Sequence, residues 1–331
     1  MASNLPLALK QLLIRLSPYG VVRPEQPLLQ LESRRIPWGR SLNHFVNRTV
    51  FWLLATSITI VAAWIAIAIL PLFIAPDTAY RGALLLNQRT SVFVSVGVLV
   101  FIFLSLVLDV TSIRSALGSI NSDLRNGRMD MLRLTNMREG QFILAKYGVA
   151  QLHAWRMTAI LVGARLGLML VLVVWFWLYI LFDMRIDTTS MIYTLPSRSA
   201  IEGILASDPL VFVIGFSITL SAVLAFIATF VLEPIWRMRG LTAVSMAVSA
   251  RVSDHSMAVI SGGAVLLALW FSQIAILLGV TIFAFIISPF GIFVLPFVYF
   301  ACIFLAYMAF FALVKTVSLR VVARKMAALA N

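Results

Sequence analysis

Asp109 and Arg165 are the two ionisable residues set within otherwise apolar stretches of the chain. A charge at mid-bilayer costs about 2.5 to 3.5 kcal/mol on translocon scales. Both sit near one end of their stretches, at depths that match, so an ion pair between them is one expectation. The alternative is that each reaches the interface separately, Arg165 by extending its long stem. Other chemistry is thinly supplied. His44, His153 and His255 are far apart in sequence and none belongs to H-E-x-x-H. Cys302 is the only cysteine, so no internal disulfide forms, and no Cys/His cluster offers a metal site. No G-x-x-x-x-G-K-[ST] occurs, and Ser261-Gly262-Gly263 opens an apolar run. Hydrolases need a nucleophile with an oriented base and metalloenzymes need clustered ligands, so the residues speak against an enzyme.

The elements that carry these residues are long and apolar. The 331 residues are 61% hydrophobic and 12% charged, about half the charged fraction of a soluble domain. A soluble globule is thereby excluded. A helix rising about 1.5 Å per residue needs about 20 apolar residues to cross a hydrocarbon core roughly 30 Å thick. Residues 49–76, 90–108 and 209–232 carry no charge over 28, 19 and 24 positions. Residues 157–182 are interrupted only by Arg165. Residues 256–314 are uncharged for 59 positions, which as one helix would measure roughly 88 Å, so they must fold back. The break belongs near Ser288-Pro289-Phe290-Gly291, where Pro removes a donor and Gly loosens the chain. The expectation is an all-α polytopic membrane protein with six spans near 50–75, 90–112, 157–182, 209–232, 257–280 and 293–314. A cytoplasmic arm over 1–48 precedes this membrane domain of 49–331, and a cytoplasmic insert covers 113–156.

Orientation follows from the basic residues, whose excess marks cytoplasmic flanks. With both termini inside, only Arg81, Arg89, Arg185 and Arg198 fall outside, leaving 22 of the 26 Lys and Arg within. The net charge of +13 then reflects topology in a cell (plasma) membrane. Nucleic acid is not needed to explain it, because the basic residues are spread over four segments with no aromatic-interleaved patch. In the arm, Leu5, Leu9, Leu12, Leu13 and Leu16 share one helical face, predicting a helix on the inner leaflet. A loosely packed arm is the alternative.

The insert is much longer than a connector requires. Asn136 with Glu139 three residues on reads as a helix start, and the helix so begun carries Phe142, Ile143, Lys146, Val149 and His153 towards the third span. Such an element could receive force from a soluble partner. Upstream lie Asp123, Gly127, Leu132 and Leu134-Thr135, and downstream Ala145-Lys146. In this order the residues resemble the loop between spans two and three of the permease subunits of type 2 ATP-binding-cassette transporters, mostly exporters. That loop runs from an acid through a Gly-containing turn to Leu-x-Thr-Pro and, about ten residues later, Gly-Lys. Asn136 stands here for the usual Pro and Ala145 for the usual Gly. The likeness covers about 113–171 and, more weakly, 27–40, where Pro27-Leu28-Leu29 and Glu32-Ser33-Arg34 resemble the approach to the first span.

The resemblance implies a separate ATPase subunit that holds ATP and Mg, a second permease copy or paralogue, and no cofactor bound by this chain. It also implies that Asp123, Arg128, Asp130, Arg133, Thr135, Arg138, Glu139 and Lys146 meet the ATPase. A solvated loop whose basic members enforce topology is the competing account. By the same likeness, Phe290 and Phe293 in the apolar return would form an outer gate, where a plain tight loop explains the same letters. Gly163 and Gly167 form a G-x-x-x-G suited to close helix approach, within the chain or between copies. Ser245, Ser249 and Ser253 form a small polar stripe that suits a path or tight packing. A non-transporting scaffold and an ion-coupled carrier are the rival functions. The carrier reading is weakened because carriers place ionisable groups at mid-membrane.

Overall fold

A computed structural model describes residues 7–20, 26–33, 36, 41–70, 79–117, 120, 123, 139–186, 209–252, 254–287 and 295–330. Every regular element among them is helical. Two short helices come first, α1 (Leu7–Leu16) and α2 (Pro27–Ser33), with a 3-10 turn at Pro18–Gly20 between them. Six long ones follow: α3 (Leu42–Trp64, widening into a π-turn over Ile65–Ile69), α4 (Ala79–Leu117), α5 (Glu139–Ile186), α6 (Pro209–Arg251), α7 (His255–Ile287) and α8 (Leu295–Ala330). Among the described residues, five stretches are long and apolar enough to cross a membrane: Leu42–Ile69, Leu85–Leu117, Gly140–Leu178, Ser256–Phe283 and Tyr299–Ala328. The chain is a multi-pass, all-helical membrane protein. α7 is described to Ile287 and α8 from Leu295, and the expected break at Ser288-Pro289-Phe290-Gly291 lies outside the described residues.

Helix starts follow local chemistry. Ser41 adopts an extended backbone, and its hydroxyl accepts from the His44 N–H at 3.2 Å, capping α3. α5, described from Glu139 on, continues without a break for 48 residues, while the expected capping residue Asn136 lies outside the described residues. At about 1.5 Å per residue it measures roughly 72 Å, more than twice the hydrocarbon thickness. α6, at 43 residues, is nearly as long. Both therefore extend well beyond the bilayer, and their two halves differ.

The half of α5 nearest its start is packed on its own protein. Phe142, Ile143, Tyr147, Leu152 and Trp155 are buried there. They meet Met246 and Ala250 of α6, Val322 and Met326 of α8, and Phe45 and Val46 of α3. The other half of α5 exposes Leu170, Val173, Phe176 and Trp177, and α4 exposes Val92, Val96, Leu99 and Phe103. Exposed apolar side chains at this density suit a lipid surround. The last part of the 113–156 insert, from Glu139 on, forms the centre of the packed end.

α3 and α5 approach closely at the G-x-x-x-G. The Ser57 hydroxyl donates to the Gly163 carbonyl at 2.7 Å. A Cβ on Gly167 would lie 2.9 Å from the Ser57 carbonyl oxygen, too close for any larger residue without moving the helix. This spacing therefore serves packing within the chain. The same reading holds for Ser245 and Ser249, both buried on α6, while Ser253 lies outside the described residues.

Candidate functional site, a buried charge network

Three helices deliver charge to one place at the ends of the apolar runs, and a fourth adds neutral polar partners. Asp109 of α4 is fully buried. Its carboxylate takes a two-pronged bond from Arg237 of α6, Nε to Oδ1 at 2.6 Å and Nη2 to Oδ2 at 2.5 Å. The Trp270 indole of α7 also donates to Oδ2, at 3.0 Å. The third nitrogen of Arg237, Nη1, donates to Glu233 at 3.3 Å and to Gln273 of α7 at 3.2 Å. Glu233 also meets Arg165 of α5, Nη2 to Oε2 at 2.8 Å. Two carboxylates thus face two guanidiniums, and the group carries no formal net charge. A planar guanidinium matches a carboxylate with two parallel bonds, a geometry that Lys cannot supply.

The expected pair between Asp109 and Arg165 is therefore not formed. Asp109 is taken by Arg237, and Arg165 by Glu233. The sequence reading ended the fourth span at Leu232, the last residue before a charge, and so left Glu233 and Arg237 in a loop. α6 instead continues helical to Arg251, with Glu233 and Arg237 one turn apart and both buried. The available signal was Glu233-Pro234-x-x-Arg237: opposite charges at i and i+4 on one helical face.

Pro234 explains why Arg165 is here. Proline inside a helix has no N–H to donate to the carbonyl four residues back, which for Pro234 is Phe230. Arg165 Nη1 donates to that oxygen at 2.7 Å, replacing the missing backbone bond from a different helix. Its guanidinium lies 4.9 Å from the Phe230 ring centre, and Arg237 lies 4.7 Å from that of Trp270. Both cations therefore also rest on aromatic faces.

A second knot holds the packed end. Lys146 of α5 bonds to Glu32 of α2 and to Asp123, each at 2.5 Å. Lys146 and Asp123 are both buried. They were expected to meet a partner, yet their side chains turn inward and tie the arm, the insert and α5 together. Loop polarity had been read as solvent exposure, whereas two carboxylates around one ammonium allow burial. Gln26 adds a bond to the Gln141 carbonyl at 2.7 Å. Of the other expected contact residues, Glu139 opens α5, and Arg128, Asp130, Arg133, Thr135 and Arg138 lie outside the described residues. Phe290 and Phe293 also lie outside them.

The arm is docked. Leu13 and Leu16 pack against the core and Lys10 bonds to Asn43 at 3.0 Å, while Leu12 remains exposed. Arg239 of α6 donates to the Leu16 carbonyl at 2.7 Å, satisfying the open end of α1. No protein-family model, curated protein or solved structure matches this chain.

Proposed function

We propose that this chain is the permease subunit of an ATP-driven transporter, crossing the membrane six times with both termini in the cytoplasm. One observation carries the reading. The insert between α4 and α5 is clamped through Asp123 to Lys146, and Lys146 stands on the same unbroken helix as Arg165 of the charge network. A push on the insert is thus borne by a rigid rod whose far part lies in the membrane. In this reading a separate ATPase, holding ATP and Mg, docks on Arg128, Asp130, Arg133, Thr135, Arg138 and Glu139. Asp123 and Lys146 transmit the load from within, and a second permease copy completes the path.

Copurification from native membrane tests this. A nucleotide-binding subunit should accompany the tagged chain, and Arg133→Glu should reduce its recovery while leaving membrane insertion unchanged. Repeated recovery of the chain without an ATPase would overturn the proposal in favour of a scaffold. A cysteine placed at Gly127 should react with an impermeant thiol reagent only from the cytoplasmic side. The four buried charges give some weight to an ion-coupled carrier as a second reading. Each is already matched by an opposite charge, however, which suits a structural lock better than a site that exchanges an ion.

A further inference from the structure

α6 and α8 line an open-sided cavity of about 170 Å³. Its wall is built from Trp236 and Arg239 of α6 and Met308, Phe311, Ala312 and Lys315 of α8. The wall is divided. Four of the six side chains are apolar or aromatic, and the other two are cations.

Neither cation is neutralised by a carboxylate among the described residues. Arg239 spends one nitrogen, Nη2, on the carbonyls at the end of α1, while its Nε is buried without a hydrogen-bond partner there. Lys315 has no ion pair or hydrogen bond among the described residues, in contrast to Lys146, which has two carboxylates. Two cations facing a shared space repel each other, and a buried guanidinium donor left open is costly. An anionic oxygen between them removes both penalties. The position fits a membrane source. Lys315 is the first charge after the 59-residue uncharged run, at the depth where an apolar surface gives way to polar headgroups.

We propose that this cavity binds one anionic phospholipid, its phosphate between Arg239 and Lys315 and its acyl chain along Trp236, Met308 and Phe311. Basic pockets between membrane helices hold such headgroups by the same division of labour. The site does not depend on the chain being a transporter. It would set the lipid surroundings in which α6 and α8 pack.

The test uses the full chain in vesicles of phosphatidylcholine with a minor fraction of phosphatidylglycerol, and the readout is the ratio of the two lipids retained after detergent extraction. The wild-type chain should retain phosphatidylglycerol above its share of the vesicle. Lys315→Gln should lower that enrichment about fivefold, the effect of one basic residue near an anionic headgroup. Lys315→Arg should preserve it, and so should Lys325→Gln, which removes an exposed charge further along α8. Ala312→Leu narrows the cavity without touching charge and should also lower retention. The proposal is overturned if Lys315→Gln keeps full enrichment, or if Lys325→Gln loses as much. It also fails if inorganic phosphate displaces the retained lipid as readily as a short-chain phosphatidylglycerol does, since the acyl wall would then contribute nothing.

Discussion

The two buried charge clusters solve different problems. Around Lys146 two carboxylates share one ammonium, and the Glu32 member keeps some solvent contact, with a side-chain exposure of 19%. Around Arg237 two acids and two guanidiniums balance, and Asp109 is completely enclosed. The first cluster ties segments that are remote in sequence, the arm, the insert and α5. The second locks four long helices at a common depth. An imbalance is tolerable where water can reach one partner, and much less so where hydrocarbon surrounds the group.

The largest effect should come from breaking the balanced cluster. Arg237→Leu leaves Asp109 and Glu233 facing each other with one cation, and should cost about 3 to 5 kcal/mol. Thermal unfolding of the purified chain would measure this, and adding Asp109→Leu should recover part of the loss. A double-mutant cycle sharpens the assignment. Asp109→Asn and Arg237→Gln should be non-additive by about 1 kcal/mol or more, while Asp109→Asn and Arg165→Gln should come closer to additivity. Equal coupling in both cycles would contradict the observed pairing.

Lys146→Met should follow at about 1 to 3 kcal/mol, reduced by the solvent access of Glu32. Limited proteolysis of the arm should accelerate in that variant and not in Arg237→Leu, if the two clusters have separate tasks. Gly167→Val should cost about 1 to 3 kcal/mol by forcing α3 from α5, measurable as a lower unfolding temperature. Trp270→Phe removes one donor to Asp109 while keeping the aromatic face under Arg237. Less than about 1 kcal/mol is expected, the smallest effect of the series, because the two bonds from Arg237 to Asp109 remain.

The architecture was readable because hydrophobic runs report directly on helices that face lipid. Five described apolar stretches lie where charge-free runs predict spans, whereas the Pro-Gly pair at 289–291 and the capping residue Asn136 lie outside the described residues. The network was only half legible. Asp109 and Arg165 stood out because charge is rare within apolar runs, but their partners Glu233 and Arg237 sat just past a run and read as loop. A charge-free window finds the lipid-facing part of a helix and stops where the helix turns inward to protein. Glu32 was out of reach altogether. Its partner Lys146 lies 114 positions away, and nothing local links them.

The filled gap in α6 has a mechanical consequence. A helix missing a rung at Pro234 can flex there, but its spare carbonyl is held by a side chain belonging to α5. Should α5 slide along its axis by more than a hydrogen bond's tolerance, that oxygen would lose its donor inside an apolar surround, at a cost of several kcal/mol. Bending of the one helix is thereby geared to the travel of the other, so neither can adjust freely while its neighbour stays still.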